Sequence, residues 1–163
     1  MNARQAIRIN IESANMIAMG YLSDLTDAEL LVRPVPGANH IAWQLGHLLA
    51  SAHDMVETTC PGSMPALPTG FAEKYNNDTA KLDAAGAFHP KAVYMDVGEQ
   101  LHAATLKALD KLTDADLDKP APEKFRSFVK TVGELFSMVG THLLMHAGQW
   151  AVVRRKLGRP PQY

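Results

Sequence analysis

Apolar residues near the start of the chain, Ile7, Ile11, Ala14, Ala18, Tyr21 and Leu25, follow a 4-3-4-3-4 spacing. That is one buried stripe of an amphipathic helix, and Asn2 is placed to cap it. The segment Leu25-Thr-Asp-Ala-Glu-Leu30 carries Thr26 and Glu29 in capping-box spacing, predicting a short helical turn. Arg33-Pro-Val-Pro-Gly37 must end it, because proline lacks a donor and restricts the residue before it. A second long helix is expected over about His40 to Thr59, capped by Asn39 and stopped by Pro61–Gly62. Its inward face reads Trp43, Gly46 or His47, Ala50 or Ser51, and Asp54.

From residue 61 to about 90 the periodicity is lost among Pro65, Pro68, Gly70, Asn76, Asn77 and Gly86. Irregular segments of this length in small domains are lids or partly ordered appendages, and Phe71 and Tyr75 predict that this one packs on something. A third helix is expected over about Lys91 to Leu112, with Val97, Leu101, Ala104 and Ala108 on one face. After Lys119-Pro-Ala-Pro122 and a connection through Phe125 and Phe128, Thr131 caps a last helix. Leu135, Met138, Val139, Leu143, Trp150 and Val153 form its apolar positions; Arg154, Arg155 and Lys156 favour its C-terminal dipole, and Gly158 with Pro160–Pro161 ends it. No stretch alternates like a strand. Four long helices joined by proline-bearing connections predict an all-α four-helix bundle.

The chain also repeats itself. Leu22-Ser-Asp-Leu-Thr-Asp-Ala-Glu-Leu30 matches Leu109-Asp-Lys-Leu-Thr-Asp-Ala-Asp-Leu117 at an offset of 87, and His47-Leu-Leu matches His142-Leu-Leu at an offset of 95. The order helix, LTDA, proline break, helix, HLL implies two helical hairpins related by a pseudo-two-fold. His47 and His142 would then face each other across its axis.

His142 and His146 lie one helical turn apart on one face, a spacing that lets two imidazoles close on one metal ion. With His47 they make three histidines from two helices. Structural zinc sites close all four positions, whereas a three-ligand site keeps one open. Neutral imidazole suits zinc, nickel, iron and copper, so ligand type does not choose the ion.

Composition narrows the classes. The 163 residues, 47% of them hydrophobic, fit one globular domain over residues 1–163. A net charge of −1 implies no basic face, so no nucleic acid or membrane surface is expected as a partner. Arg4, Arg8 and Glu12 interrupt the first apolar segment, and no run has the roughly 18 apolar residues of a membrane span. A lone cysteine, Cys60, fits a reducing cytoplasm and has no basic neighbour in sequence to activate it.

Together, Asn39-His-Ile-Ala-Trp-Gln-Leu-Gly-His47, the LTDAEL turn before Arg33-Pro34, and His142-x-x-x-His146-x-x-Gln149 resemble the DinB-like (YfiT-type) metalloenzyme superfamily over nearly the whole chain. The resemblance implies an up-down-down-up four-helix bundle, often dimeric. It implies one divalent ion, zinc, nickel, iron or manganese, held by His47, His142 and His146. The mycothiol-dependent branch has Glu where this chain has His142, so the chain resembles the three-His branch, with its bacillithiol S-transferase-like members and members read as hydrolases. The expected function is therefore transfer of a low-molecular-weight thiol to a small-molecule substrate. A metal-dependent hydrolase and a non-catalytic, metal-binding, dimeric stress-response module are the alternatives. The sequence identifies no catalytic residue and no residue that binds the thiol.

Other side chains are weighed against this centre. His40 is expected in an exposed first turn or at the site mouth. His53, roughly 240° round the helix from His47, should point elsewhere, and His89 and His102 should be solvated. Asp54 and Gln149 each lie seven residues after a histidine of the set, so each either orients an imidazole or caps the bundle end. Trp43 and Trp150 should be core. Met16 and Met19 fall off the first helix's stripe and need cover, which predicts a homodimer.

Overall fold

The structure, a computed structural model, describes residues 1–160 and 162. The helix stop expected at Pro160–Pro161 falls partly on Pro161, outside the described residues. Four long helices form the body: α1 Ala3–Leu22, α3 Ile41–Thr59, α4 Lys91–Asp110 and α6 Val132–Lys156. Two single turns, α2 Asp27–Leu30 and α5 Asp114–Leu117, complete the α-helices. Among the described residues there is no strand, only an isolated bridge between Pro120 and Thr131. Among the described residues no helix is long and apolar enough to cross a membrane.

Local chemistry accounts for most boundaries. Asn2 and Gln5 form a capping box on α1, and Thr131 accepts from the Glu134 amide at the start of α6. The two LTDA segments fold alike, each closed by a capping box, Thr26 with Glu29 and Thr113 with Asp116, and each burying its last leucine, Leu30 and Leu117. The cap of α3 is not Asn39, as the sequence suggests, but His40, whose Nδ1 accepts from the Trp43 amide.

Packing follows the repeat. The most extensive helix–helix interface is between α1 and α6; α3 packs on α4 and on α6, and α1 also touches α4. Exchanging α1 with α4 and α3 with α6 maps this set of neighbours onto itself, the pseudo-two-fold that the LTDA and HLL matches imply. The α1–α6 contact is close because Gly140 faces Asn10: a Cβ there would fall 2.9 Å from Asn10 Oδ1. Asn10 Nδ2 donates to the Ser137 carbonyl at 2.9 Å across the same seam. Met19 packs against the main core, whereas Met16 remains 60% exposed.

Arg154 sits in the last turn of α6 as expected, but not as a solvated cation. It is buried, donating to the Tyr21 carbonyl at 2.9 Å and forming an ion pair with Asp24, which Arg159 also contacts. These two cations hold the Asp24 carboxyl down at about 2.

The segment 61–90 contains three 3-10 turns, Ala72–Tyr75, Thr79–Lys81 and Ala85–Ala87. Phe71, Tyr75 and Phe88 bury their rings in the core against the first half of α3. Gly46 makes the approach possible, since a Cβ there would fall 2.1 Å from Tyr75 Cζ.

Candidate metal centre

Helices α3 and α6 bring His47, His142 and His146 together. Ring centroids are 5.2 Å apart for His47 and His142, 5.7 Å for His47 and His146, and 5.0 Å for His142 and His146. One ring nitrogen from each lies within 4.8 Å of the other two. His142 Nε2 and His146 Nε2 are 3.2 Å apart. Two nitrogens each about 2 Å from one ion at a tetrahedral angle are separated by roughly 3.3 Å, so this pair fits a shared cation. His146 is buried, and His47 and His142 are half-buried.

Each ring is held. Gln44, one turn before His47, accepts at Oε1 from Trp150 Nε1 at 2.7 Å and contacts His146 Nδ1 at 3.1 Å. Its amide nitrogen donates to the Asn39 carbonyl at 2.7 Å and to Gln149 Oε1 at 2.9 Å. Indole N–H can only donate and a carbonyl only accept, so the amide orientation is fixed. His146 Nδ1 must therefore carry the proton, which leaves the lone pair on Nε2, facing His142. A hydrogen bond of this kind to the outer ring nitrogen is what orients a metal-binding imidazole. His47 stacks on Trp43 at 5.0 Å between centroids and 8° between planes. Trp43 is in turn tied by its indole N–H to the Asn76 carbonyl and the Thr79 hydroxyl, both at 3.1 Å.

Burial lowers the pKa of all three imidazoles. For His142 and His146, burial first and the neighbouring imidazoles second bring it down to about 4; for His47 burial alone lowers it. At neutral pH the rings are uncharged and can offer lone pairs, the form a divalent ion requires. The donor set, three neutral imidazoles with a fixed tautomer in one, fits a divalent metal of the nitrogen-preferring kind.

Beside the cluster lies an open cavity of about 600 Å³, whose walls include His47, His142, Asp54, Phe125, Phe128 and Met145. Most of the lining comes from α3 and α6, the connection before α6 adds Phe125 and Phe128, and no residue of 61–90 lines it. The bonds Ala121 N to Lys130 O and Val132 N to Lys119 O, each 2.9 Å, pin the ends of that connection, and Lys124 ties it to α3 through Asp54 at 2.5 Å. The irregular segment 61–90 instead braces the first half of α3 from another side.

The remaining candidates fall away from the centre. Asp54 lines the cavity but contacts Lys124 and Thr58 rather than an imidazole. Gln149 acts one step removed, through Gln44. His40, expected at the surface or the site mouth, is fully buried as a helix cap, its Nε2 facing the Leu82 carbonyl at 3.1 Å. His89 is not simply solvated: its Nδ1 lies 2.6 Å from the Tyr75 hydroxyl and its ring stacks on Phe71. His102 lines a second, apolar pocket that also borders His142, and His53 lies outside the cluster. Cys60 closes α3, and burial raises its thiol pKa, so it is not an activated nucleophile. Trp43 and Trp150 are buried as expected. Sequence reasoning missed Gln44 and the two phenylalanines of the cavity wall. For Gln44 a signal existed, since a residue three before His47 shares its helix face.

The fold and the cluster together define a helical bundle with a three-imidazole centre between α3 and α6 that could hold a metal ion. The family model of the DinB superfamily matches residues 11–150, and the chain belongs to that superfamily. A similar solved structure, the conserved protein of a locus from Enterococcus faecalis, aligns at a TM-score of 0.72 over 98% of this chain and 99% of that one, with 18% identity. At that identity the likeness bears on the fold alone. No curated protein matches the chain.

Proposed function

We propose that the protein is a divalent-metal enzyme that uses His47, His142 and His146 as ligands and transfers a low-molecular-weight thiol to an electrophilic small molecule. The observation that carries this reading is the convergence of three imidazole nitrogens within 4.8 Å beside an open cavity. A sealed cluster would suit a purely structural metal; an open one supports catalysis over a non-catalytic module. Membership in a metal-binding superfamily supports the ligand assignment.

A divalent ion there would supply Lewis acidity, holding a thiol as its thiolate at neutral pH. The chain's part is positional. Gln44 holds His146 Nε2 toward the cluster, Trp43 holds the His47 ring, and the cavity presents the acceptor beside both. The thiol loses its proton to solvent, the sulfur forms a bond to the electrophilic carbon, and the leaving group departs with the electron pair of the bond that breaks. Cys60 has no part in this, because the attacking sulfur belongs to the thiol substrate.

One observation favours a second reading, hydrolysis of an ester or amide: Asp54 is a carboxylate in the cavity wall and could serve as a base for water. The test is metal-reconstituted protein assayed with several small thiols against a reactive chloride or epoxide, with ester hydrolysis in parallel. Metal- and thiol-dependent conjugation that falls at least about 100-fold in His142→Ala and persists in Cys60→Ser is the expected result. Ester turnover without thiol dependence, abolished in Asp54→Asn, would replace transfer by hydrolysis.

A further inference from the structure

The walls of the cavity beside the imidazoles are unusual for solvent-facing positions. Phe128 is 74% exposed and Met145 58% exposed, and both face the same cavity, joined there by Phe125 and Met138. Single exposed apolar side chains are ordinary; several converging on one concavity mark a binding surface. The volume of about 600 Å³ lies within the span of small-molecule sites, roughly 300–1,000 Å³. The wall therefore has both the shape and the chemistry for a ligand with a substantial apolar part.

Charge restricts that ligand further. Asp54 is the one carboxylate among the described residues lining the cavity, and Lys124 engages it at 2.5 Å while standing 4.9 Å over the Phe125 ring. No lysine or arginine lines the cavity itself, and nearby Arg126 donates its Nε–H to the Ala121 carbonyl at 2.9 Å. Lys124 and Asp54 form a solvent-exposed pair, so the wall offers no unpaired charge to attract an anionic or a cationic substituent. Apart from the two imidazoles, Ser51 and Thr141 are the uncharged polar side chains among the described residues of the lining, enough to orient a ligand and too few to solvate a charge.

We propose that this cavity selects a neutral substrate with an aromatic ring or short alkyl chain, seated against Phe128, Met138 and Met145 with its reacting end at His47 and His142. The assignment of a reacting end rests on the metal-enzyme reading; the apolar, uncharged preference rests on the wall alone. The methionines suit a range of such groups, because thioether side chains are flexible, polarisable and make favourable contacts with aromatic rings. Phe128 is the main specificity-determining side chain, since it has the most surface left to cover.

Two probes on the full chain separate this proposal from the reading beneath it. On metal-free protein, the neutral dye N-phenyl-1-naphthylamine should bind roughly 10-fold more tightly than its sulfonated relative 8-anilinonaphthalene-1-sulfonate, and Phe128→Ala or Met145→Ala should each weaken the neutral dye several-fold. Both side chains are exposed, so these variants should fold normally, with unchanged circular dichroism. On metal-loaded protein, benzohydroxamate should bind at least about 10-fold more tightly than acetohydroxamate, and Phe128→Ala should remove that preference while leaving acetohydroxamate unaffected. The proposal is overturned by equal affinity for neutral and sulfonated dye, or by dye binding indifferent to both substitutions. It is also overturned if the chain dimerises through this face, seen as a Phe128→Ala monomer under conditions where the unsubstituted protein is a dimer that takes up no dye. Dye binding as expected with no hydroxamate binding would support the apolar cavity and contradict the metal-enzyme reading.

Discussion

Gln44 has two acceptor lone pairs and two amide protons, and all four are engaged in a buried setting, by Trp150, His146, Asn39 and Gln149. Such a side chain has no conformational choice, and neither does the imidazole it holds. Gln44→Leu should leave the Trp150 and His146 N–H groups unpaired in the core, each costing about 1–3 kcal/mol. Metal affinity should fall about 10–100-fold, because His146 would be free to change tautomer and ring orientation. Chelator competition reads the affinity and urea unfolding the stability; an unchanged affinity would mean that Gln44 serves the core and not the centre. His146 and His142 were legible as a pair from their spacing alone, a local i,i+4 relation. Gln44 was less so, because its role depends on α6 meeting α3 across about one hundred residues of chain.

At the scale of elements, the contrast between the two irregular segments is instructive. Both carry aromatics and prolines, and the sequence suggests the longer one, 61–90, as a lid or a partly ordered appendage. In the fold it braces α3 through Tyr75 on Gly46, while the shorter connection before α6 adds Phe125 and Phe128 to a wall otherwise made by α3 and α6. Gly46→Ala should therefore force the Tyr75 ring away and destabilise the protein by about 1–3 kcal/mol, read by urea unfolding. Tyr75→Leu in the same background should recover part of that loss; if it does not, the ring is not what the methyl group meets. The pattern of success follows from range. Capping boxes, helix stripes and the LTDA repeat are interactions within a few residues and could be read directly. The burial of Arg154 against Asp24 and the seat of each loop depend on partners distant in sequence, and periodicity carries no information about those.

For the whole molecule, the two groups of shifted residues set separate acid windows. His142 and His146 have folded pKa values of about 4, below the ordinary 6.5, so the folded state binds fewer protons than the unfolded one between those values. Their contribution is present above pH 6.5 and is lost as pH falls toward 4. Asp24 and Glu29, each held at about 2 by arginine partners, contribute above the ordinary carboxylate range, and that contribution is lost only as pH falls on toward 2. Urea midpoints of metal-free protein should thus decline in two stages, and replacing both His142 and His146 by Gln should shrink the upper stage, to which the buried His40 and His47 also contribute, and leave the lower one. A saturating divalent ion should raise the midpoint at neutral pH by mass action, since it binds the folded centre. The most direct test of the three-histidine centre is metal content by elemental analysis after loading and desalting, for the unsubstituted chain and for His47→Ala. His47 comes from a different helix than the HxxxH pair, so only a centre shared between α3 and α6 depends on it. One ion per chain, lost in His47→Ala with the helical circular dichroism intact, is the expected result; His47→Ala protein that keeps a full equivalent of metal would contradict it.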